Sequence, residues 1–92
     1  MYFLLFYQTV EHYVEKRAPF RDIHLQHARA AMERGELVFG GAYEDPVDGA
    51  LLVFKGEDDS VARSFAKNDP YVLNGLITHW EVRTWNLVIG AP

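Results

Sequence analysis

Two histidines and an arginine stand close together in "FRDIHLQHARAAMERGE", residues 20 to 36. His24 and His27 are three residues apart, and Arg21 precedes His24 by three. Side chains three apart lie on neighbouring positions of one helix face. Histidine transfers protons near neutral pH, and arginine binds anionic groups. The spacing indicates a pocket in which His24 is a general base or acid and Arg21 holds an anionic part of a ligand.

These side chains lie on the inward side of the predicted helix. A helical wheel started at Phe20 leaves a narrow polar arc, made of Asp22, Gln26, Arg29 and Glu33. The two histidines fall in the middle of the apolar stripe, beside Phe20, Ile23, Ala30 and Ala31. Polar groups are costly to bury without partners, so a stripe that contains Arg21 and both histidines indicates a pocket rather than a plain core.

Each histidine has other interpretations. A buried histidine can fill space and donate one ring N–H to a backbone carbonyl, and this packing role competes more strongly for His27 than for His24. A metal site has weak support, because no HxxxH or carboxylate pattern accompanies the spacing of three. We therefore assign His24 to the candidate catalytic pair and His27 to the candidate substrate-binding residues, and we expect no metal and no cofactor.

An orienting carboxylate for His24 is nominated by the topology. In "NDPY", Asp69 ends the second predicted helix. The two helices of the fold argued below run antiparallel, which brings this end beside Arg21 and His24. Asp69 is also a good N-cap for a turn that begins at Pro70, and its two oxygens allow both roles. Tyr71 supplies either a hydroxyl for a substrate or simple packing at the same place.

The predicted strands position these residues. The short aromatic run "YFLLFYQ" is typical of a strand that is covered on both faces. Turn residues "EDPVDG" separate two further runs, which indicates a hairpin. The predicted strands span residues 2–8, 36–46, 49–56 and 77–90.

Two helices are predicted between the strands. The first begins at Pro19 and runs to about Arg34, where Gly35 supplies a left-handed cap. The second is capped by Asp58 or Asp59, and Val61, Ala62, Phe65 and Ala66 recur on it at helical spacing. It stops before Pro70, and "PYVLNG" adds one more helical turn.

The order β-α-β-β-α-β is that of the ferredoxin-like α+β fold, an antiparallel sheet with two helices on one face. The other face is bare in a monomer, yet the first strand is apolar on both faces. One face carries Tyr2, Leu4 and Phe6, and the second carries Phe3, Leu5 and Tyr7. A sheet-to-sheet dimer is expected to bury the second set.

Composition limits the class of protein. Residues 1–92 are enough for one domain with a thin core, and 49% hydrophobic residues leave apolar surface for a partner, so we expect a homodimer or higher homo-oligomer. The net charge of -4 argues against nucleic acid and anionic membranes as partners. Without cysteines there is no disulfide or thiolate metal site. The opening run is neither a signal peptide nor a membrane span, so a cytoplasmic protein is expected.

Several segments resemble the YciI-like, or YCII-related, proteins over essentially the whole chain. The matching stretches are "EKR", "RDIHL", "GEL" followed by "GGA", "NDPYVLNGL" and "VRTW". The resemblance implies a dimeric α/β barrel of ferredoxin-like subunits, similar to muconolactone isomerase, with an active site of one histidine and one aspartate. Carried over to this sequence, these are His24 and Asp69. One relative is a dehydrochlorinase that acts on a chlorinated hydroxyhydroquinone, so the resemblance suggests elimination chemistry on a small ring.

Two positions depart from the family pattern. Many members carry an acidic residue just after the first strand, where this chain has Thr9 and the nearest acid is Glu11. Members often read A-G-P after the second strand, where this chain has Gly40, Gly41 and Ala42. If the acid after the first strand is the functional partner of the histidine in the family, this chain lacks the usual pair. The short loop after Ala42 implies a smaller or more open pocket.

The leading hypothesis is a lyase or isomerase of a small cyclic or phenolic compound that uses the His24 and Asp69 pair, with Arg21, His27 and Tyr71 as substrate-binding residues. The alternative is a dimeric small-molecule-binding module without catalysis. A cofactor-free monooxygenase on the same architecture is the third hypothesis.

Overall fold

The computed structural model describes residues 1–90. These residues form four strands and four α-helices, most of which follow from the alternating and helical patterns of the sequence. The last two residues of the predicted domain lie outside the described residues. The strands are β1 (Tyr2–Thr9), β2 (Leu37–Ala42), β3 (Gly49–Lys55) and β4 (Ile77–Trp85). The helices are α1 (Tyr13–Lys16), α2 (Arg21–Glu33), α3 (Ser60–Asn68) and α4 (Pro70–Leu73), and a 3-10 helix (Ala18–Phe20) precedes α2.

The sheet order is β2-β3-β1-β4, and all three pairings are antiparallel. This order confirms the predicted ferredoxin-like α+β fold, in which the first and third strands are central. β4 ends at Trp85, earlier than predicted, because Trp85 pairs with Tyr2, where β1 begins, and later residues have no strand opposite them. β2 ends at Ala42 rather than in the following turn, although the Tyr43 N–H still donates to the Gly49 carbonyl at 2.9 Å.

The two faces of β1 have the reverse of the expected roles. Phe3, Leu5 and Tyr7 are buried and form one core cluster with residues of α2 and α3. The expectation that a partner covers this set was wrong, because the helices already cover it. Tyr2, Leu4 and Phe6 are half-buried and lie on the opposite face, which the helices of this chain leave open.

The segment between β1 and α2 was predicted only in part. His12 has φ 58°, in the left-handed region, and the chain then forms the short helix α1, which the sequence did not reveal. Pro19 lies in the 3-10 helix, and α2 begins two residues later, at Arg21. Gly35 ends the helix as predicted, with φ 78° and its N–H donating to the Met32 carbonyl at 2.9 Å.

The second long helix matches its prediction closely. Ala62, Phe65 and Ala66 are buried, and the Asp58 carboxylate accepts the Ser60 N–H at 2.9 Å. Asp69 is extended, with ψ 124°, as expected for a residue before proline. Within residues 1–90, no helix has both the length and the apolar character needed to cross a membrane.

Candidate active site

Asp69 is the most enclosed charged residue of the described chain. Its side chain is buried, and it accepts three hydrogen bonds. The Tyr7 hydroxyl donates to Oδ2 at 2.7 Å, while His24 Nδ1 and the Tyr71 backbone N–H reach Oδ1 at 2.8 Å and 3.0 Å. The bond to Tyr71 is the N-cap of α4. The carboxylate thus caps a helix and contacts His24 at the same time.

The bond to Asp69 determines the tautomer of His24. An ionised carboxylate only accepts hydrogen bonds, so Nδ1 must carry the proton and donate it. In the neutral ring Nε2 then has a free lone pair, which is the form that a general base requires. The His24 side chain is 15% exposed, enough for a ligand to reach it. The antiparallel helices therefore bring His24 and Asp69 together as the topology predicted.

An aromatic stack supports the other side of the His24 ring. Tyr71 lies parallel to it, with ring centroids 3.8 Å apart and planes at 5°. Tyr13 meets Tyr71 edge-on at 5.8 Å. These contacts hold the imidazole between a carboxylate at one edge and a ring on one face, so few rotamers of His24 remain.

Tyr71 also presents an unusual hydroxyl. Its oxygen is buried and has no hydrogen-bond partner among the described residues. Desolvation and the neighbouring Tyr13 raise the pKa of Tyr71, and the guanidinium groups of Arg21 and Arg17 oppose this rise. The hydroxyl is therefore a neutral group that can donate a hydrogen bond to a ligand.

A cavity of about 500 Å³ adjoins this group, and His24, Arg21 and Tyr71 all line it. Its opposite side is formed by β2, the hairpin that follows it and the start of β3. The lining also includes Tyr7, Tyr13, Arg17, Leu25, Arg29, Leu37, Tyr43, Glu44, Val47 and Leu52. Such a volume is in the range of small-molecule sites, about 300 to 1,000 Å³.

His27 lies apart from this cavity lining. Its Nε2 donates to the Phe65 backbone carbonyl at 2.9 Å, and its ring stacks on Phe65 at 4.3 Å. This is the packing alternative raised for this residue, so we do not carry His27 into the proposed site. Its neighbour on the wheel, Ile23, is 47% exposed rather than inward, because the helices and sheet cover a narrower stripe than the wheel suggested.

Two side chains escaped the sequence reasoning. Tyr7 was predicted on one face of β1 but was not linked to Asp69. The feature that could have suggested this link is its position on the same face as Phe3 and Leu5, which the helices cover. Tyr13 belongs to a helix of four residues, too short for a hydrophobic period to reveal. Glu11, the alternative acid, is exposed, and His24 Nδ1 is already bonded to Asp69. Within the described residues no group of three or more histidines and carboxylates could hold a metal ion.

The sequence matches the model of the YCII-related domain over residues 1–86, so the chain belongs to this family. It matches no curated protein sequence.

Two solved structures share the fold. One is the 5-chloro-2-hydroxyhydroquinone dehydrochlorinase TftG from Burkholderia phenoliruptrix AC1100, in complex with 2,5-dihydroxybenzoquinone, with a TM-score of 0.77 and 21% identity over 94% of each chain. The other is protein Atu4242 from Agrobacterium tumefaciens, with a TM-score of 0.61 and 15% identity over 99% of this chain and 96% of that one. At these identities the likeness concerns the fold.

Proposed function

We propose that this YCII-related protein is an enzyme of the lyase or isomerase type that acts on a small cyclic or phenolic compound. The observation that carries the proposal is the buried Asp69 carboxylate, 2.8 Å from Nδ1 of a histidine that lines a cavity. A structural neighbour that acts on a chlorinated hydroxyhydroquinone supports the class of reaction.

In the proposed reaction His24 Nε2 removes a proton from a hydroxyl or a ring carbon of the ligand. In an elimination, the ligand reacts as a non-aromatic keto tautomer, in which the ring carbon that bears the halogen is tetrahedral. The electron pair left on the adjacent carbon then forms a new double bond, and the halide departs with its bonding electrons. In an isomerisation, the same imidazolium returns the proton at another carbon. Both forms balance without an oxidant or a cofactor.

Asp69 acts on this step through His24. It holds the Nδ1–H tautomer and stabilises the imidazolium that forms when Nε2 takes a proton. Tyr7 is a positioning residue, because its hydroxyl occupies Asp69 Oδ2 and leaves Oδ1 to His24 and the cap. Proton transfer by a positioned side chain contributes about 100- to 10,000-fold to a rate.

A second candidate is a small-molecule-binding protein without catalysis. The observation that favours it is the cap of α4, because helix capping gives Asp69 a structural reason to be present. In that case the contact with His24 satisfies two polar groups and the cavity only binds.

The experiment that separates the two uses 5-chloro-2-hydroxyhydroquinone as a trial substrate, with chloride release as the readout. We expect turnover by the unmodified protein and a loss of about 100- to 10,000-fold in His24→Gln. His79→Gln is the matched control, because His79 is an exposed histidine of β4 outside the cavity lining.

A second readout covers the case in which chloride is not the leaving group. Solvent deuterium exchange into the ring C–H of 2,5-dihydroxybenzoquinone, followed by NMR, reports proton abstraction alone. If the ligand binds but neither chloride release nor exchange depends on His24, the binding candidate replaces the enzyme.

A further inference from the structure

The cavity lining is cationic in an acidic protein. The chain has a net charge of -4, yet the charged lining residues are Arg17, Arg21, Arg29 and a single acid, Glu44, apart from the titratable His24. Three of the six arginines of the sequence thus line one cavity. Walls of low dielectric strengthen the field of such charges, so the cavity attracts anions.

These arginines lack carboxylate partners. Within residues 1–90, Arg34 pairs with Glu36 and Arg63 pairs with Asp59, whereas no carboxylate lies within 4.0 Å of the guanidinium nitrogens of Arg17, Arg21 or Arg29. An arginine beside a cavity without an internal counter-ion keeps its N–H donors available for a ligand.

Arg17 and Arg21 converge on one end of the cavity. The Arg17 guanidinium lies over the Tyr13 ring, 5.1 Å from its centroid, and Tyr13 meets the edge of Tyr71. The positive charges of both guanidinium groups lower the pKa of Tyr71 and so oppose the rise that burial causes. Arg29 lies eight residues after Arg21 on α2, or about 12 Å along the helix axis, and belongs to a different part of the lining.

The Tyr71 hydroxyl is the third element of this end. It is buried without a partner in the described residues, and an unsatisfied buried hydroxyl costs free energy unless a ligand supplies a partner. The two guanidinium groups and the neutral hydroxyl can all donate hydrogen bonds, so the missing partner is an acceptor with several lone pairs.

From this arrangement we propose that the cavity binds ring compounds that carry a carboxylate, and that Arg17, Arg21 and the Tyr71 hydroxyl together hold that carboxylate. The planar guanidinium matches the two oxygens of a carboxylate better than a single phenolate oxygen. Because Tyr71 stacks on His24, an anion held here places the ring of the ligand beside the imidazole. This inference rests on the proposed function because it concerns the ligand of the same cavity. It narrows the substrate class to ring compounds with a carboxylate, of which the trial substrate above is an analogue without that group.

The test compares benzoate with benzamide, which has nearly the same shape and no charge. Binding is measured by isothermal titration calorimetry on the unmodified protein at neutral pH and low salt. We expect benzoate to bind about 10- to 100-fold more tightly than benzamide, and the preference to decrease as salt is added.

Four variants locate the preference, and a fifth is a control. Arg17→Gln and Arg21→Gln should each reduce it about tenfold or more, and Tyr71→Phe should reduce it by a smaller factor. Arg29→Gln removes one positive charge from another part of the same cavity. We expect it to reduce the benzoate preference less, and that smaller reduction measures the effect of the positive potential of the cavity without direct contact. Arg63→Gln, outside the lining, controls for net charge. The first two side chains are half-buried or exposed, and circular dichroism verifies that their variants remain folded.

Three outcomes overturn the inference. The first is equal binding of benzoate and benzamide. The second is a benzoate preference that survives both Arg17→Gln and Arg21→Gln. The third is tighter binding of 4-nitrophenolate than of benzoate, which would mean that the site selects a phenolate rather than a carboxylate. His24→Gln keeps the benzoate preference if the inference is right, so loss of turnover with intact preference separates a failure of catalysis from a failure of recognition.

Discussion

At the scale of single residues, the site depends on how one carboxylate is shared. Asp69 Oδ1 accepts from both His24 and the Tyr71 backbone, and Oδ2 accepts from Tyr7. Both oxygens of the carboxylate are therefore hydrogen-bonded, which makes its buried charge tolerable. Removing one member should leave a defect that is specific to that member.

Asp69→Asn tests the charge of Asp69 while it keeps the hydrogen bonds to α4 and His24. One atom, Oδ1, both caps α4 and accepts from His24 Nδ1, so an amide oxygen in its place can serve both contacts and the Nδ1–H tautomer should persist. Nitrogen-15 NMR of the ring checks the tautomer. We expect turnover to fall by about 100-fold or more, because the neutral amide no longer stabilises the imidazolium that forms when Nε2 takes a proton. Unchanged turnover would show that Asp69 only caps the helix and holds the ring.

Tyr7→Phe tests the positioning role of the hydroxyl. The change removes the donor to Asp69 Oδ2 and leaves a buried carboxylate oxygen unsatisfied, which costs about 1 to 3 kcal/mol of unfolding free energy. Urea denaturation measures the loss. Tyr2→Phe, on the open face of the same strand, is the matched control and should change the free energy of unfolding far less.

The same tyrosine gives an alkaline pH dependence. Burial, and then the charge and hydrogen bond of Asp69, raise the pKa of Tyr7 well above its ordinary value of 10.0. Its stabilisation is complete below the unfolded pKa and is lost as pH rises toward the folded one, because the unfolded chain releases the proton first. The free energy of unfolding should thus fall between pH 9 and 11, with a shallower slope in Tyr7→Phe. Equal slopes would contradict this account.

At the scale of elements, the hairpin between β2 and β3 closes the cavity on the side opposite α2. Gly49 begins β3 beneath the Tyr43 ring, and a Cβ there would lie 2.7 Å from both the Tyr43 ring and the Tyr7 carbonyl oxygen. One of these contacts is to backbone, so it cannot relax by rotation of a side chain. The absence of a side chain at Gly49 lets Tyr43 lie in the lining.

Gly49→Ala should therefore destabilise the protein by about 1 to 3 kcal/mol and move Tyr43 out of the cavity lining. Gly41→Ala is the matched control, because a Cβ at Gly41 of β2 meets nothing within 4 Å and its backbone needs no special conformation. Thermal unfolding measures both variants. Comparable losses in the two would show that contact with Tyr43 is not the cause.

The elements that the sequence predicted correctly are those whose signals are local. Gly35 ends α2, Asp69 precedes Pro70, and the order of strands and helices follows from periodicity and turn residues. Helix α1 was missed because four residues carry no usable period. The bond from Tyr7 to Asp69 joins residues 62 positions apart, so only the packed sheet and helices reveal it.

At the scale of the whole molecule, the helices of the described chain cover one face of the sheet and leave the other face open. The open face has an apolar centre in which Phe6 pairs with Leu51 and Leu4 pairs with Val53. Polar residues of β4, among them Glu81 opposite Phe6, lie along one side of this centre. An apolar centre with a polar border is typical of a surface that associates with a second copy.

Phe6→Lys tests whether two copies associate through this face. A lysine at the apolar centre would be buried without a partner in a dimer, but in a monomer it reaches solvent and lies across from Glu81, so the single chain should stay folded. We expect a dimer for the unmodified protein at micromolar concentration and a monomer for this variant, as measured by light scattering during gel filtration. Gln8→Lys adds the same charge to the same face at an exposed position opposite His79, and it should remain dimeric. A monomeric unmodified protein, or a Phe6→Lys variant that stays dimeric, would mean that the open face does not form the contact between copies.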